Sequence, residues 1–315
     1  MRILLTGGAG FIGSHIAAAY LREGHEVAVF DNFRTGSKRN LPAAASLFVG
    51  DISHAPDVEA ACREFQPEAV SHHAAQLDVR ASLEDPAYDA GVNILGGLNV
   101  LLHAAKVGAR RFVFASSGGA IYGDTPGAPA DERTAARPLS PYGLTKQTFE
   151  SYLHIWREVH GIVPVILRYA NVYGPRQNAH GDAGVIAIFS QRLLRNRPCT
   201  IFGDGGSTRD YVYVEDVVEA NRLALTKGDG GVFNVGTGRG TTIREVFDTI
   251  RDAVDGLLGP DPERPLEPEH TELRAGEVYR STLNAGLARE VLGWEPRTSF
   301  QDGVARTVGF LHAEG

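Results

Sequence analysis

Tyr142 and Lys146 are two side chains whose types and spacing could support acid–base chemistry. They lie four residues apart, directly after a Ser-Pro pair typical of a helix start, so both occupy one face of the predicted helix. A tyrosine phenol is a weak base at neutral pH, but a nearby positive charge favours its ionised form. A strand-end serine, Ser116 or Ser117, could then bind the same substrate oxygen. On a surface helix such a pair commonly has no function, and the glycine loop upstream favours the catalytic interpretation.

Gly7, Gly10 and Gly13 follow the first predicted strand and precede a predicted helix. Gly7 would permit a tight turn, Gly10 would let the backbone approach a pyrophosphate, and Gly13 would let the helix pack against the strand. The N–H groups at the helix start would bind the phosphates. The alternative is an ordinary glycine turn, but the position between a strand and a helix favours a dinucleotide site.

Asp31 ends the second predicted strand, 18 residues after Gly13. A carboxylate at this place accepts hydrogen bonds from the adenosine ribose hydroxyls and repels a 2′-phosphate. The sequence therefore predicts NAD rather than NADP as the cofactor. Arg34, three residues further on, could weaken this preference.

Strand-length apolar runs alternate with amphipathic helical stretches up to about residue 170. The predicted strands are 3–5, 26–30, 47–49, 69–71, 112–115 and 163–167, and the predicted helices lie near 11–22, 57–65, 86–106 and 141–160. Because several strands are apolar on both faces, they suit a buried parallel sheet. The alternation predicts an α/β fold, a Rossmann-type doubly wound parallel sheet with helices on both faces.

Beyond residue 175, clusters of Gly and Pro indicate a smaller, mixed C-terminal substrate lobe. A helix start near 212 and a strand near 232–236 could return to the main sheet. We therefore predict an NAD-binding domain of residues 1–170 plus segments near 210–236. Residues 171–209 and 237–315 would form the substrate-binding lobe.

The composition of the 315-residue chain is that of an ordinary globular protein, with 43% hydrophobic residues and a formal net charge of -7. This charge argues against nucleic acid or an anionic membrane as a partner. The apolar run at the start is too short for a signal peptide or a membrane span. Cys62 and Cys199 lack metal-site spacing, so we expect no disulfide and no metal, and a cytoplasmic location.

Taken in order, the motifs resemble the extended short-chain dehydrogenase/reductase family, and within it most closely the UDP-glucose 4-epimerases. The resemblance covers nearly the whole chain. It rests on residues 6–15 (Thr-Gly-Gly-Ala-Gly-Phe-Ile-Gly-Ser-His), 31–32, 50–52, 73–75, 93, 142–146 (Tyr-Gly-Leu-Thr-Lys), 168–175 (Arg-Tyr-Ala-Asn-Val-Tyr-Gly-Pro), 203–205 and 209–211.

The resemblance implies that NAD is held tightly as a catalytic group. With the glycines of the loop, the predicted cofactor-binding residues are Gly7, Gly10, Phe11, Ile12, Gly13, Asp31, Asn32, Asp51, Ile52, His73, Ala74, Ala75, Gln76, Leu77, Asn93, Tyr142, Lys146 and Ala170. For His72 and His73 the alternative is a packed structural histidine.

The resemblance also implies that Ser117, Tyr142 and Lys146 are the catalytic residues. Many epimerases have a further hydroxyl residue where this chain has Gly118, so we assign the hydroxyl to Ser117, with Ser116 as the alternative.

The resemblance implies that Ser117, Tyr142, Asn171, Arg209 and Arg274 bind the substrate. An arginine fork matches the oxygens of a diphosphate, although either arginine alone could be a solvated surface charge.

Relatives that dehydrate or decarboxylate nucleotide sugars resemble one another in an acidic residue shortly before the Tyr-Gly pair that corresponds to 122–123. This chain has Gly-Gly-Ala-Ile there. The absence favours 4-epimerisation of a UDP-hexose, UDP-glucose or UDP-galactose, through a transient 4-keto sugar. Ser281, seven residues beyond Arg274, is small enough to predict that N-acetylated forms are accepted too.

Two other functions stay open at this point. One is epimerisation of UDP-glucuronate or modification of another nucleotide sugar, and the other is a catalytically silent NAD-binding regulator of the same fold. The resemblance further implies a homodimer that pairs the helices near 86–106 and 141–160, although their apolar residues could equally belong to the core.

Overall fold

Strands and helices alternate through the first half of the chain in the computed structural model, which describes residues 1–125, 127–178, 184–272 and 278–314. The strands are β1 Arg2–Thr6, β2 Glu26–Asp31, β3 Ser46–Val49, β4 Ala69–His72, β5 Arg111–Ser117, β6 Val163–Tyr169, β7 Asn171–Tyr173, β8 Thr200–Phe202, β9 Thr208–Tyr213, β10 Val232–Val235, β11 Gly240–Thr242, β12 Glu269–Thr271 and β13 Arg280–Ser281. The helices are α1 Phe11–Arg22, α2 Ala55–Phe65, α3 Val79–Glu84, α4 Pro86–Ala90, α5 Gly97–Lys106, α6 Gly118–Ile121, α7 Pro141–His160, α8 Val185–Leu193, α9 Val214–Ala224, α10 Ile243–Leu258 and α11 Phe300–Glu314. Each predicted strand of the first half is present within a few residues of its expected bounds, and so is each predicted helix except the one near 86–106.

The main sheet has seven parallel strands in the order β10-β6-β5-β4-β1-β2-β3. Strands β1 to β6 have the order β3-β2-β1-β4-β5-β6, which is that of a doubly wound nucleotide-binding sheet. The Rossmann-type fold class is confirmed. β10, which lies in the segment predicted to return to the main sheet, pairs with β6 and forms one edge of that sheet.

Helices cover both faces of this sheet. One apolar layer contains α1 and α9 side chains such as Tyr20 and Val217, and the other contains α2, α5 and α7 side chains such as Leu101 and Phe149. β1 is buried on both faces, as its unbroken apolar run requires.

Two helices show how the local sequence sets their ends. Before α7, the Ser140 side chain accepts a hydrogen bond from the N–H of Gly143, Pro141 occupies the first turn, and Gly161 ends the helix with a positive φ of 66°. α10 begins with a capping box between Thr242 and Glu245.

The predicted helix near 86–106 is interrupted. A π-helical turn, Gly91–Gly96, lies between α4 and α5, so the side chains beyond it are rotated relative to a continuous α-helix. The periodicity of apolar residues alone does not reveal such a turn.

The C-terminal part has its own mixed sheet and apolar core. β9 pairs antiparallel with β11 and parallel with β7 and β13. α8, α10 and α11 bury residues such as Phe189, Phe247 and Val304 around it. The exact boundaries between the two predicted domains stay a prediction.

Within the described part of the chain, no helix is both long and apolar enough to cross a membrane. Cys62 and Cys199 are buried free thiols.

Candidate active site

The glycine loop between β1 and α1 has no room for side chains at two of its predicted positions. Gly7 has a φ of 71°, and a Cβ there would lie 2.6 Å from the backbone nitrogen of Ala74. A Cβ on Gly13 would overlap the carbonyl oxygen of Gly7, so only glycine lets α1 begin so close to β1. α1 has no side-chain cap, which leaves its first N–H groups for an anion. These features fit a dinucleotide pyrophosphate.

Asp31 lies buried at the end of β2, beside this loop. Its two carboxylate oxygens accept hydrogen bonds from the backbone N–H groups of Ala9 (2.9 Å) and Phe33 (2.8 Å). Arg34 contacts Tyr88, with its guanidinium carbon 4.7 Å from the centre of the tyrosine ring, and donates a hydrogen bond to the Tyr88 hydroxyl. The guanidinium group of Arg34 is therefore engaged by the Tyr88 side chain.

Asn32 and Asp51 are brought together from adjacent strands. The Asn32 amide donates to Asp51 Oδ2 over 2.8 Å. Although partial burial opposes it, hydrogen bonds from Ser53 and Asn32 hold the pKa of Asp51 below its ordinary value. Ile52, the next predicted residue, is buried under the π-helical turn, where a Cβ on Gly96 would meet its side chain.

The segment after β4 is fixed to the glycine loop through Thr6, whose hydroxyl accepts the N–H groups of His73 and Ala74, each at 3.2 Å. The same hydroxyl bonds to Nδ1 of His72 over 2.7 Å. Burial lowers the pKa of His73 to about 3 and that of His72 well below its ordinary value, so both rings are neutral. His72 is fully buried and His73 is half-buried, and the predicted contact of His73 with NAD stays a prediction.

The remaining predicted cofactor residues lie around the same edge of the sheet. Asn93 is buried in the π-helical turn. Its side-chain amide accepts a hydrogen bond from the Gln76 backbone N–H (2.9 Å) and donates one to the Gln76 carbonyl (3.0 Å).

The other predicted cofactor residues differ in exposure and position. Ala75 is half-buried and Leu77 is exposed. Ala170 follows β6. Phe11, Ile12 and Gly10 lie at the start of α1.

Lys146 and Tyr142 meet on one face of α7, as their spacing predicts. The ammonium nitrogen of Lys146 donates to the carbonyl oxygen of Ala115 over 2.9 Å and lies 5.8 Å from the centre of the Tyr142 ring. Burial lowers the pKa of Lys146 to about 8. Burial raises the pKa of Tyr142 to about 12, and the nearby Ser117 hydroxyl opposes part of this rise.

The two candidate serines have different surroundings. Ser116 donates to Oε1 of Glu150 over 2.5 Å, within a buried ion pair in which Arg168 contacts the same carboxylate at 3.0 and 2.5 Å. Ser117 ends β5 on the side of Tyr142. The hydroxyl of Ser116 is thus engaged in the core, and that of Ser117 is beside the phenol.

The position of the Leu283 side chain explains why a glycine, Gly118, follows these serines. A Cβ on Gly118 would lie 2.5 Å from the end of the Leu283 side chain, which fills the space that a larger residue would need.

Of the predicted substrate residues beyond Ser117 and Tyr142, Asn171 begins β7 and Arg209 lies on β9, while Arg274 lies outside the described residues. Arg209 donates to the backbone carbonyls of Thr208 and Tyr279, at 3.0 and 3.4 Å. Ser281 is buried and pairs in register with Arg209 across β13 and β9. The Asn171 amide oxygen would lie 3.1 Å from a Cβ on Gly119, which places Asn171 near the turn after Ser117.

Comparison with known proteins assigns the chain to a family. A model of the NAD-dependent epimerase/dehydratase family matches residues 3–236. The chain belongs to this family. The extended short-chain dehydrogenase/reductase resemblance seen in the sequence is confirmed.

The similarity to two UDP-glucose 4-epimerases extends over nearly the whole of each chain. It is 43% identical to a UDP-glucose 4-epimerase of Mycolicibacterium smegmatis over 99% of this chain and 98% of the relative. A putative UDP-glucose 4-epimerase of Methanocaldococcus jannaschii is also 43% identical, over 98% of both chains.

Two solved structures of UDP-glucose 4-epimerases have the same fold. The Thermotoga maritima structure, with UDP-glucose, is 43% identical with a TM-score of 0.95 over 100% of this chain and 99% of that one. The Thermus thermophilus complex with NAD is 46% identical with a TM-score of 0.92 over 99% of both chains.

Three charged residues in or near this candidate site were not predicted to be functional from the sequence. Glu150 lies one turn after Lys146 on α7, a spacing that could have drawn attention to it. Arg176, with a positive φ of 68°, donates to the Ser14 hydroxyl in the first turn of α1 over 3.2 Å. Asp89 is fully buried behind Thr145. Within the described part of the chain, no group of three or more His, Cys, Asp or Glu residues could hold a metal ion.

Proposed function

We propose that the protein is an NAD-dependent UDP-hexose 4-epimerase that interconverts UDP-glucose and UDP-galactose. The observation that carries this proposal is the meeting of Ser117, Tyr142 and Lys146 at the carboxyl end of β5, the edge of the sheet where a doubly wound fold binds its ligands and where the glycine loop also follows β1. The same name is carried by relatives 43% identical over nearly the whole chain. The reaction class is therefore an isomerisation.

Tyr142 is the proposed base that removes the proton of the sugar C4 hydroxyl. With a pKa of about 12 its phenol is neutral at pH 7, so it needs positive charge close by when substrate is bound. Lys146 supplies one such charge, 5.8 Å from the ring centre. NAD, when bound, provides the hydride acceptor and donor at C4.

Ser117 would hold the C4 oxygen while Tyr142 exchanges the proton with it. Its place at the end of β5 and the engagement of Ser116 with Glu150 support this choice between the two serines. After oxidation, the 4-keto sugar would turn over, a hydride would be returned to the opposite face of C4, and Tyr142 would return the proton to the C4 oxygen. One base that works in both directions suffices for this chemistry.

The diphosphate of the substrate would be held by Arg209, with Asn171 and Arg274 as further ligands. The two hydrogen bonds from Arg209 that support this assignment go to backbone carbonyls, so its charge is not neutralised by them. A guanidinium in this state suits a phosphate partner.

The decisive experiment is to incubate the purified protein with separate UDP-sugars and resolve the products by chromatography. Interconversion of UDP-glucose and UDP-galactose is expected. Turnover of UDP-glucuronate alone would favour the uronate alternative. No turnover of any UDP-sugar, with NAD bound, would favour the silent regulator. The turn at Gly118 and Gly119, which has no carboxylate, favours plain epimerisation.

We also propose a homodimer formed by α5, α7 and the π-helical turn. Apolar side chains on these elements are strongly exposed: Leu95 by 62%, Leu144 by 53% and Val159 by 67%. Burying these side chains against a second copy would be favourable. Sedimentation velocity should show a dimer that Leu95→Glu weakens. Leu266→Glu, at a residue 70% exposed elsewhere, is the matched control; a monomeric wild type would contradict the proposal.

A cytoplasmic location is proposed on the basis of the two buried free thiols, which suit a reducing compartment. Fractionation of cells that express the tagged full chain would test it.

A further inference from the structure

Asp89, at the end of α4, is a carboxylate that the proposed mechanism does not use. It is completely buried. Its Oδ1 accepts from the side-chain amides of Gln76 (2.9 Å) and Asn93 (3.1 Å), and its Oδ2 accepts from the Thr145 hydroxyl (2.8 Å). These three partners are neutral. A buried carboxylate bonded in this way is costly, so its presence requires an explanation.

The three partners belong to the two halves of the active site. Gln76 and Asn93 are predicted cofactor residues, and they bond to each other through the Gln76 backbone. Thr145 lies on α7 between Tyr142 and Lys146 and also donates toward the carbonyl oxygen of Tyr142, over 3.0 Å. Asp89 therefore joins the segment after β4, the π-helical turn and the catalytic helix at one point.

Asp89 also differs from the other carboxylate near Lys146. Glu150, on α7, is neutralised by its ion pair with Arg168 of β6. His72 and His73, which end and follow β4, are neutral because burial lowers the pKa of each ring. Two carboxylates, Asp89 and Glu150, act on Lys146 through their charges. The charge of Asp89 is therefore the less compensated of these two. It raises the pKa of Lys146 against the effect of burial, and it also raises that of Tyr142.

We propose that Asp89 is a positioning residue of this site: it holds Gln76, Asn93 and Thr145 in place, and its buried negative charge keeps Lys146 in the ammonium form at neutral pH. Only the kinetic consequence of this proposal depends on the epimerase function proposed above. The protonation state of Lys146 can be measured without substrate.

Asp89→Asn removes the charge with little change in shape, and the surroundings can accommodate it. The Asn oxygen can accept from Gln76 and Asn93, while its NH₂ group donates to the Thr145 hydroxyl. That hydroxyl then keeps the Tyr142 carbonyl as its own acceptor. Asp89→Ser is a second, smaller charge-free variant if the first does not fold.

The direct test follows the lysine side chains by NMR. The chain has only four lysines, Lys38, Lys106, Lys146 and Lys227, so lysine-selective ¹³Cε labelling gives few signals, and Lys146→Arg assigns the relevant one. In Asp89→Asn we expect the Lys146 titration midpoint to fall by about one pH unit, as expected for loss of a nearby opposite charge. Glu84→Gln, at an exposed carboxylate on α3, is the matched control and should leave the midpoint unchanged. An unchanged midpoint in a folded charge-free variant would overturn the proposal.

The kinetic test uses the pH dependence of kcat with UDP-galactose. Because Asp89 raises the pKa of both Lys146 and Tyr142, its neutral variant should show both limbs of the profile at lower pH, with KM little changed. A uniform loss of kcat at every pH would indicate a structural role alone and contradict the proposal. If the wild type turns over no UDP-sugar, the proposed function fails, and the NMR titration still decides the role of Asp89.

Discussion

The Lys146 ammonium nitrogen lies 5.8 Å from the centre of the Tyr142 ring and donates a hydrogen bond to the Ala115 carbonyl oxygen. The lysine therefore acts on the phenol through its charge. Because the site is buried, that charge is little screened by solvent, and it is also costly to keep. The predictions below follow from this arrangement and from the elements around it.

Tyr142→Phe should lower kcat by roughly 10³-fold, because the proposed base is lost and the size of the side chain is almost unchanged. NAD content and melting temperature should stay close to those of the wild type. The assay is conversion of UDP-galactose to UDP-glucose followed by chromatography. Tyr152→Phe, on the same helix, is the control and should remain active. Near-normal epimerisation by Tyr142→Phe would rule out this base.

Lys146→Met should abolish most activity and change how stability depends on pH. The pKa of Lys146 falls from 10.5 to about 8 on folding, so between these values the unfolded chain binds a proton that the folded protein has released. The wild type should gain stability relative to the variant over this interval, by about 1.4 kcal/mol per pH unit.

Urea unfolding of both NAD-free proteins at pH 7, 8, 9 and 10 measures this difference. A constant difference in the free energy of unfolding across the series would show that the pKa of Lys146 is not depressed.

Gly13→Ala should reduce the amount of NAD retained on purification, because its Cβ would overlap the Gly7 carbonyl and displace the start of α1 from β1. Overpacking of this kind costs about 1–3 kcal/mol. Absorbance and extracted-NAD assays measure the loss. Gly309→Ala in α11, where a Cβ would meet no atom within 4 Å, is the control and should retain NAD. Equal NAD content in both variants would contradict the predicted close approach.

Ser281→Tyr should lower kcat/KM for UDP-N-acetylglucosamine by more than about 10-fold relative to UDP-galactose. Ser281 is buried next to Arg209 on the neighbouring strand, and a bulky ring there would take the space predicted for the 2-acetamido group. Ser281→Ala, which keeps the site small, should retain both activities. If the wild type does not turn over the N-acetylated sugar at all, the size prediction is wrong.

Local features of this site could be predicted from the sequence, and features that depend on distant residues could not. The loop at Gly7 and Gly13 and the pairing of Tyr142 with Lys146 follow from short-range spacing, and the buried strands follow from their apolar runs. Asp89 meets Thr145 from 56 residues away, so no local pattern identifies it. The same holds for Leu283, which fills the space beside Gly118.

The late position of β10 has a consequence for how the protein folds during synthesis. β6 ends at residue 169, but its neighbour on that side, β10, is made only at residues 232–235. While the ribosome translates the stretch between them, the nascent chain presents an unpaired edge of an apolar parallel strand. Such edges promote association with other chains. The synthesis of β10 therefore ends the period in which β6 is the exposed edge of this sheet.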